Sequence, residues 1–300
     1  MAATLLAVVA ALAIGHLAPA LAAGLRQFGW FRSWLQWLNT QFPEHGFWRG
    51  PYGIALALVV PLLLLGLLQL GLRHSLWGLP GLLLGIAVLF WCWGPRDLDL
   101  DVEAILDAPD PAARRAAAAR LWPPGVSPQM EGAALVEAVF RNALQRWFGV
   151  LFWFCLLGPF GALLYRLSVQ AAQQDADALP PDTLQGARIL LAVLEWPVAQ
   201  LVTLSLALVG NFDSVAGAWR EPGAFGLRGT LLANAARASV RCEIAEEVAD
   251  YTESGIPAST ALVEAFGELP ELRDAISLAW RVLVLWLALI ALVVIAGWVG

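Results

Sequence analysis

A single carboxylate inside a long apolar run is the residue whose chemistry most needs explaining. Glu195 interrupts the stretch from Ile189 to Gly210, which also contains Pro197. An acid within hydrocarbon is costly unless it is paired, protonated or in contact with water, so Glu195 should have a partner. Arg188, seven positions earlier, shares its helix face by periodicity, and Arg166 or Arg146 could approach from neighbouring helices. A second concentration of polar groups is Glu137, Arg141, Asn142, Gln145 and Arg146, recurring at three and four positions just before an apolar run. Glu137 and Arg141 are spaced to pair. A third is the acidic run Asp97, Asp99, Asp101 and Glu103. It reads as a helix start, where the helix dipole favours acids, because the glycine of a calcium loop is absent. His16, His45 and His74 are scattered, and Cys92, Cys155 and Cys242 show no paired spacing, so neither a metal site nor a disulfide is expected.

The elements that must carry these residues are set by composition. Of 300 residues, 59% are hydrophobic and 14% charged, against roughly 45–50% and 25% in soluble domains. Too few charges remain to cover a soluble core, and the chain reads as a membrane protein. All 18 basic residues are arginine, which excludes phosphate-loop lysine and Schiff-base chemistry. A net charge of −6 gives no field for nucleic acid, and the 15 tryptophans suit a bilayer interface.

The expected architecture is all-α: a polytopic integral membrane protein with about six membrane helices. Four windows without charge are the clearest, at Tyr52 to Leu72, Leu76 to Trp93, Trp147 to Tyr165 and Val282 to Val299. Two more are Ala2 to Ala23 and Ile189 to Gly210. Ala20-Leu21-Ala22 resembles a signal-peptidase site, but the first arginine, Arg26, follows the apolar run, so an uncleaved helix is expected. With six spans, the connections 24–51, 94–146 and 211–281 fall on one side with 15 of the 18 arginines, leaving Arg73, Arg166 and Arg188 opposite. The positive-inside rule then makes the three long connections cytoplasmic and both termini external.

Those connections also read as helical. Segment 24–51 carries apolar and aromatic residues at 30, 31, 34, 35, 37 and 38, the pattern of an amphipathic helix in the interface. In 94–146, a short helix opens at Asp97 with Leu98, Val102 and Ile105 on its apolar face. Asp110-Pro111 caps a second helix, and Ser127-Pro128 a third that runs on into the bilayer. Segment 211–281 shows helical patterns around Leu231 to Thr252 and Ser259 to Phe266, then a terminal helix from near Pro270.

Several motifs carry a family resemblance. Gly94-Pro95-Arg96-Asp97-Leu98, the block from Arg141 through Trp147-Phe148-Gly149 to Trp153, and Gly158-Pro159-Phe160-Gly161 to Tyr165-Arg166 resemble the AmpE family, as do Ala187-Arg188, Glu195-Trp196-Pro197 and Leu208 to Asp213. That family belongs to the wider superfamily of the CobD and CbiB adenosylcobinamide-phosphate synthases. The resemblance covers most of 25–220 and implies one membrane domain over 1–300. It further implies a bacterial inner-membrane protein, an accessory or sensory component of β-lactamase induction and peptidoglycan recycling. Its implied partners are the lipid bilayer and, by resemblance only, a cytosolic anhydro-muramyl amidase.

The synthase pattern itself is eroded. Of Glu-Ser-x-x-Glu-Asn, Glu137 and Asn142 keep the ends while Arg141 replaces the second glutamate. Where the synthases approach Asn-Thr-Leu-Asp this chain has Val169, Gln170, Ala171 and Ala172, and Leu190 and Leu191 replace two aspartates. Apolar side chains neither ligate magnesium nor move protons, so no catalytic residue, metal or cofactor is expected. The expected site is a cytoplasm-facing polar cavity bordered by Glu137, Asn142, Arg146, Tyr165, Arg166, Arg188 and Glu195. The alternatives are an amide-forming synthase of cobalamin biosynthesis and a small-molecule transporter.

Overall fold

The computed structural model describes residues 7–8, 10–11, 28–42, 46–72, 79–94, 97–227, 230–253 and 269–296. These are helical, with no strand among them. In chain order the helices are α1 (Gly29–Gln41), α2 (Gly53–Leu72), α3 (Leu79–Cys92), α4 (Leu98–Leu106), α5 (Pro111–Ala118), α6 (Gly132–Ala143), α7 (Gly149–Leu157), α8 (Pro159–Val169), α9 (Pro181–Val209), α10 (Phe212–Trp219), α11 (Leu231–Glu253) and α12 (Pro270–Ile295). The chain divides into two compact units, 1–96 with 145–195 and 290–300, and 97–144 with 196–289.

Three described helices are long and apolar enough to cross a membrane: α2 (mean hydropathy 2.5), α9 (1.8) and α12 (2.7). The fold is that of an all-α membrane protein. On α2, Leu63, Leu64, Leu67 and Leu68 are exposed, a continuous apolar face that water would penalise and lipid accepts. α3 is apolar but has only 14 residues. The expected span 2–23 lies outside the described residues apart from 7, 8, 10 and 11, as do His16, His45, His74 and the helical pattern at Ser259 to Phe266.

Pro61 has a compensating indole, and a second indole braces the turn before Pro197. Pro61 lies inside α2 and has no N–H to give the carbonyl of Ala57, four residues back. Trp34 Nε1 donates to that carbonyl at 3.0 Å. Pro197 lies inside α9, and Trp153 Nε1 donates at 3.1 Å to the carbonyl of Leu194 in the turn preceding it. The tryptophans expected at the bilayer interface thus serve in part as donors between helices.

The window Trp147 to Tyr165, expected as one span, is two helices. Gly158, at φ 67, ends α7, and Pro159 opens α8. That left-handed conformation is available to glycine, and proline is preorganised for a first helical turn. The two helices fold back on one another so closely that a Cβ on Gly161 would overlap the carbonyl of Trp153. Uniform hydropathy conceals this break, because both arms are equally apolar.

The extra turn moves the next connection. Arg32 pairs with Asp177 (2.9 Å, Nη1 to Oδ1) and with Asp175 (3.4 Å), and Asn39 donates to the carbonyl of Ala178 at 2.7 Å. Thr183 donates to the carbonyl of Trp48, and the backbone at Gly186 lies against Pro51. Residues 175–186 therefore sit beside 32–51 and not at the opposite end of α2. This corrects the expected partition, which placed Arg166 and Arg188 across the membrane from 24–51. Cysteines introduced at Ser33 and Asp177 should be modified by an impermeant thiol reagent from the same face of sealed vesicles. Labelling from opposite faces would restore the single-span reading of 147–165.

Within 24–51, α1 buries Phe31, Leu35 and Leu38 against its own unit and exposes Trp30 and Trp37. Its Arg32 clamp joins two aspartates of opposite character. The Arg32 hydrogen bond holds Asp177 below the usual carboxylate range, whereas burial pushes Asp175 up despite Gln170 and Arg32. A depressed acid stabilises above its ordinary titration and loses that contribution as pH falls through its folded value; a raised acid costs stability once ionised. Asp177→Asn should thus lower the thermal midpoint near neutral pH and lose its effect in acid, while Asp175→Asn should raise it. Midpoints in detergent at the two pH values check both signs.

In the second unit, α4 buries Leu98, Val102 and Ile105, as the pattern predicts, and Asp110 caps α5 by accepting from the Ala113 N–H at 2.7 Å. The third helix starts at Gly132, not at Ser127, with 126–130 outside any helix. A β-carbon at Gly132 would overlap the Glu271 side chain, which rests on that first turn. α6 passes through a π turn (Leu144–Phe148) into α7.

Candidate functional site

In the first unit, polar side chains converge from three segments. The π turn supplies Gln145 and Arg146, α8 supplies Tyr165 and Arg166, and α9 supplies Glu195. A π turn holds one residue more than an α turn and rotates the side chains that follow it, a feature frequent at functional positions. Gln145 Nε2 donates to Glu195 Oε1 at 2.8 Å.

Tyr165 is fully buried and hydrogen-bonded to the same carboxylate. It reaches Glu195 because α7 has no side chain at Gly149, where a Cβ would overlap the tyrosine ring. Trp153 fixes α9 at Leu194, one residue before Glu195. The carboxylate thus accepts from Gln145 and from Tyr165 inside the protein, which offsets part of the cost of removing it from water.

Beside this acceptor lies a buried cation. Arg166 is 2% exposed, and its guanidinium stands 5.4 Å from the ring centroid of Phe28, a cation–π distance. Phe28 stacks on Trp91 at 4.8 Å. Arg166 also acts electrostatically on Tyr165 and on Cys92. Arg146 is buried under Gly94, where a Cβ would come within 3.1 Å of the arginine Cβ.

The seven expected cavity residues have different placements. Arg146, Tyr165, Arg166 and Glu195 belong to the polar cluster of the first unit. Arg188 is exposed and forms no ion pair among the described residues, so Gln145 and Tyr165, not Arg188, are the observed partners of Glu195. Glu137 and Asn142 belong to the second unit. Glu137 is half-buried. Asn142 is buried, and its amide donates at 2.8 Å to the carbonyls of Leu121 and of Ala138, which makes it a brace between α6 and the end of the preceding helix. Gln145 completes the cluster and was absent from the expected set, although it stood in the polar stripe.

No family model, curated protein or solved structure matches this chain.

Two of the positions at which the resemblance implies an acid, Ala172 and Leu191, are packing positions, and a third, Leu190, is half-buried. Ala171 and Ala172 are buried in the second π turn (Gln170–Gln174), and Leu191 is buried on α9. The polar cluster can hold a charge and pass a hydrogen-bond change from α9 to α8 and to the π turn.

Proposed function

We propose that the protein is a non-enzymatic accessory or sensory component of the bacterial inner membrane, of the AmpE kind, acting in β-lactamase induction and peptidoglycan recycling. The observation that carries this reading is the engagement of Glu195 by Gln145 and Tyr165. The carboxylate nearest the synthase-like motifs links three helical segments instead of standing free for proton transfer. Buried Ala172 and Leu191, at positions where the resemblance implies an acid, support the same conclusion. In this reading the segment 28–51 and the connection 175–186 face the cytoplasm, where a soluble anhydro-muramyl amidase is the expected partner.

Deleting the gene should alter β-lactamase induction by a β-lactam, and wild-type chain supplied in trans should restore it. Unchanged induction in the deletion strain would overturn the reading. The synthase alternative predicts that the gene restores cobalamin-dependent growth to a strain lacking the synthase, and the proposal expects no growth there.

A further inference from the structure

The turn that leads into α2 carries a cation that the proposed function does not use. Arg49 closes a short 3₁₀ turn (Phe47–Arg49) just ahead of Gly53, where the membrane-length helix starts. That turn is held from two sides. The Trp48 indole donates to Asn39 Oδ1 at 2.7 Å, and the Trp48 carbonyl accepts from the Thr183 hydroxyl at the start of α9. Arg49 Nε is buried and has no hydrogen-bond partner among the described residues. A desolvated guanidinium N–H without an acceptor is costly, and it calls for an acceptor that these residues do not supply.

The surroundings decide what that acceptor is. Phe47 is 62% exposed and Tyr52 74%, one on each side of Arg49 in the chain, and Ala55, Val59 and Leu63 follow Tyr52 as exposed positions along one face of α2. α1 exposes Trp30, Ser33, Gln36 and Trp37, and its one charged residue, Arg32, is held by Asp175 and Asp177. Exposed aromatics and uncharged polar groups at the end of an apolar helix face are the composition of a bilayer interface. The backbone contact of Pro51 with Gly186 brings up a second cation, Arg188, exposed on α9 next to exposed Ile189. The acid beside Thr183 is Asp182, exposed and in no ion pair among the described residues. Two arginines against one aspartate leave one positive charge, which matches the single negative charge of a phosphodiester. A soluble partner would meet the same arginines but not the apolar line that runs from them along α2.

We propose that Arg49, assisted by Arg188, binds the headgroup phosphate of an anionic phospholipid whose acyl chains lie along the exposed α2 face from Ala55 to Leu63. The phosphate supplies the acceptor that Arg49 Nε lacks, and Phe47 and Tyr52 flank the headgroup at the level of the interface. The site requires only that α2 crosses the membrane, so it stands or falls apart from the accessory role proposed above.

The test uses the full chain in detergent micelles, titrated with phosphatidylglycerol or phosphatidylcholine and read by native mass spectrometry and by the thermal midpoint. The wild type should bind phosphatidylglycerol more tightly than phosphatidylcholine by about fivefold or more, the worth of one arginine at an anionic surface. Arg49→Gln should bring the two affinities together, yet keep the wild-type midpoint in lipid-free detergent, because no ion pair within the described residues is lost. Should Arg49→Gln fail to fold, the exposed Arg188→Gln must lower the preference in its place. Arg115→Gln, an exposed arginine of α5 in the other unit, should leave the preference unchanged. Equal affinity of the wild type for the two lipids overturns the proposal, as does an equal loss in Arg115→Gln, which would reduce the preference to net charge. Displacement of the lipid by inorganic phosphate would assign the arginines to a soluble anion and overturn it as well.

Discussion

Gly161→Ala should destabilise the protein by about 3 kcal/mol or more, although glycine to alanine inside a helix ordinarily stabilises by about 1 kcal/mol. The added methyl would meet the backbone carbonyl of Trp153, which cannot rotate away as a side chain can. Either α7 and α8 separate along their length or the helix at Trp153 deforms. Gly71→Ala and Gly81→Ala are the controls, since a Cβ at either position has nothing within 4 Å. Those two should hold or raise the thermal midpoint in detergent while Gly161→Ala lowers it sharply. Equal midpoints for all three would mean that the hairpin is not closed where α7 and α8 approach.

Glu195→Leu is expected to cost about 2–4 kcal/mol, because it leaves the Gln145 amide and the Tyr165 hydroxyl buried without their acceptor. The apolar side chain suits the surrounding helix, so hydrophobicity alone predicts the opposite sign. Glu195→Gln retains an acceptor oxygen and should lose much less. Removing all three partners together, as Gln145→Leu, Tyr165→Phe and Glu195→Leu, should recover part of the loss, since the two donors go with their acceptor while the buried Arg166 beside them remains. Chemical or thermal unfolding of the four proteins measures this. Additive losses in the triple variant would show that the three side chains do not act as one network. If the proposed accessory role uses the network, β-lactamase induction should follow the same order.

The local elements were legible from the sequence wherever a single periodicity or cap governs them. The stripe Phe31, Leu35 and Leu38 gives α1, Asp110-Pro111 gives the start of α5, and the uninterrupted apolar run gives α2. The expected span at 147–165 failed because hydropathy records solvent and not direction. Gly158-Pro159 was present as a turn signal inside a run of the length of a span, and only the φ of Gly158 shows that the chain reverses there. That one reversal moves 175–186 to the other end of α2, which is why an argument from arginine counts misplaced Arg166 and Arg188. The polar cluster was partly legible. Glu195 announced that it needed partners, but a residue seven places along its own helix lies about 10 Å away. Donors from the π turn and α8 are closer, and a π turn has no clear sequence signature. Asn142 looked like a site residue because its type is polar, yet both of its donors are spent on carbonyls.

The pairing of Trp34 with the carbonyl exposed by Pro61 makes these two residues interdependent across evolution. In related chains of the same fold, loss of the proline leaves the indole with a carbonyl already engaged by its own helix, and loss of the indole leaves the Ala57 carbonyl an unmet acceptor. Trp34 and Pro61 should therefore be exchanged together or not at all, and a family of such sequences would show them as coupled substitutions separated by more than twenty residues.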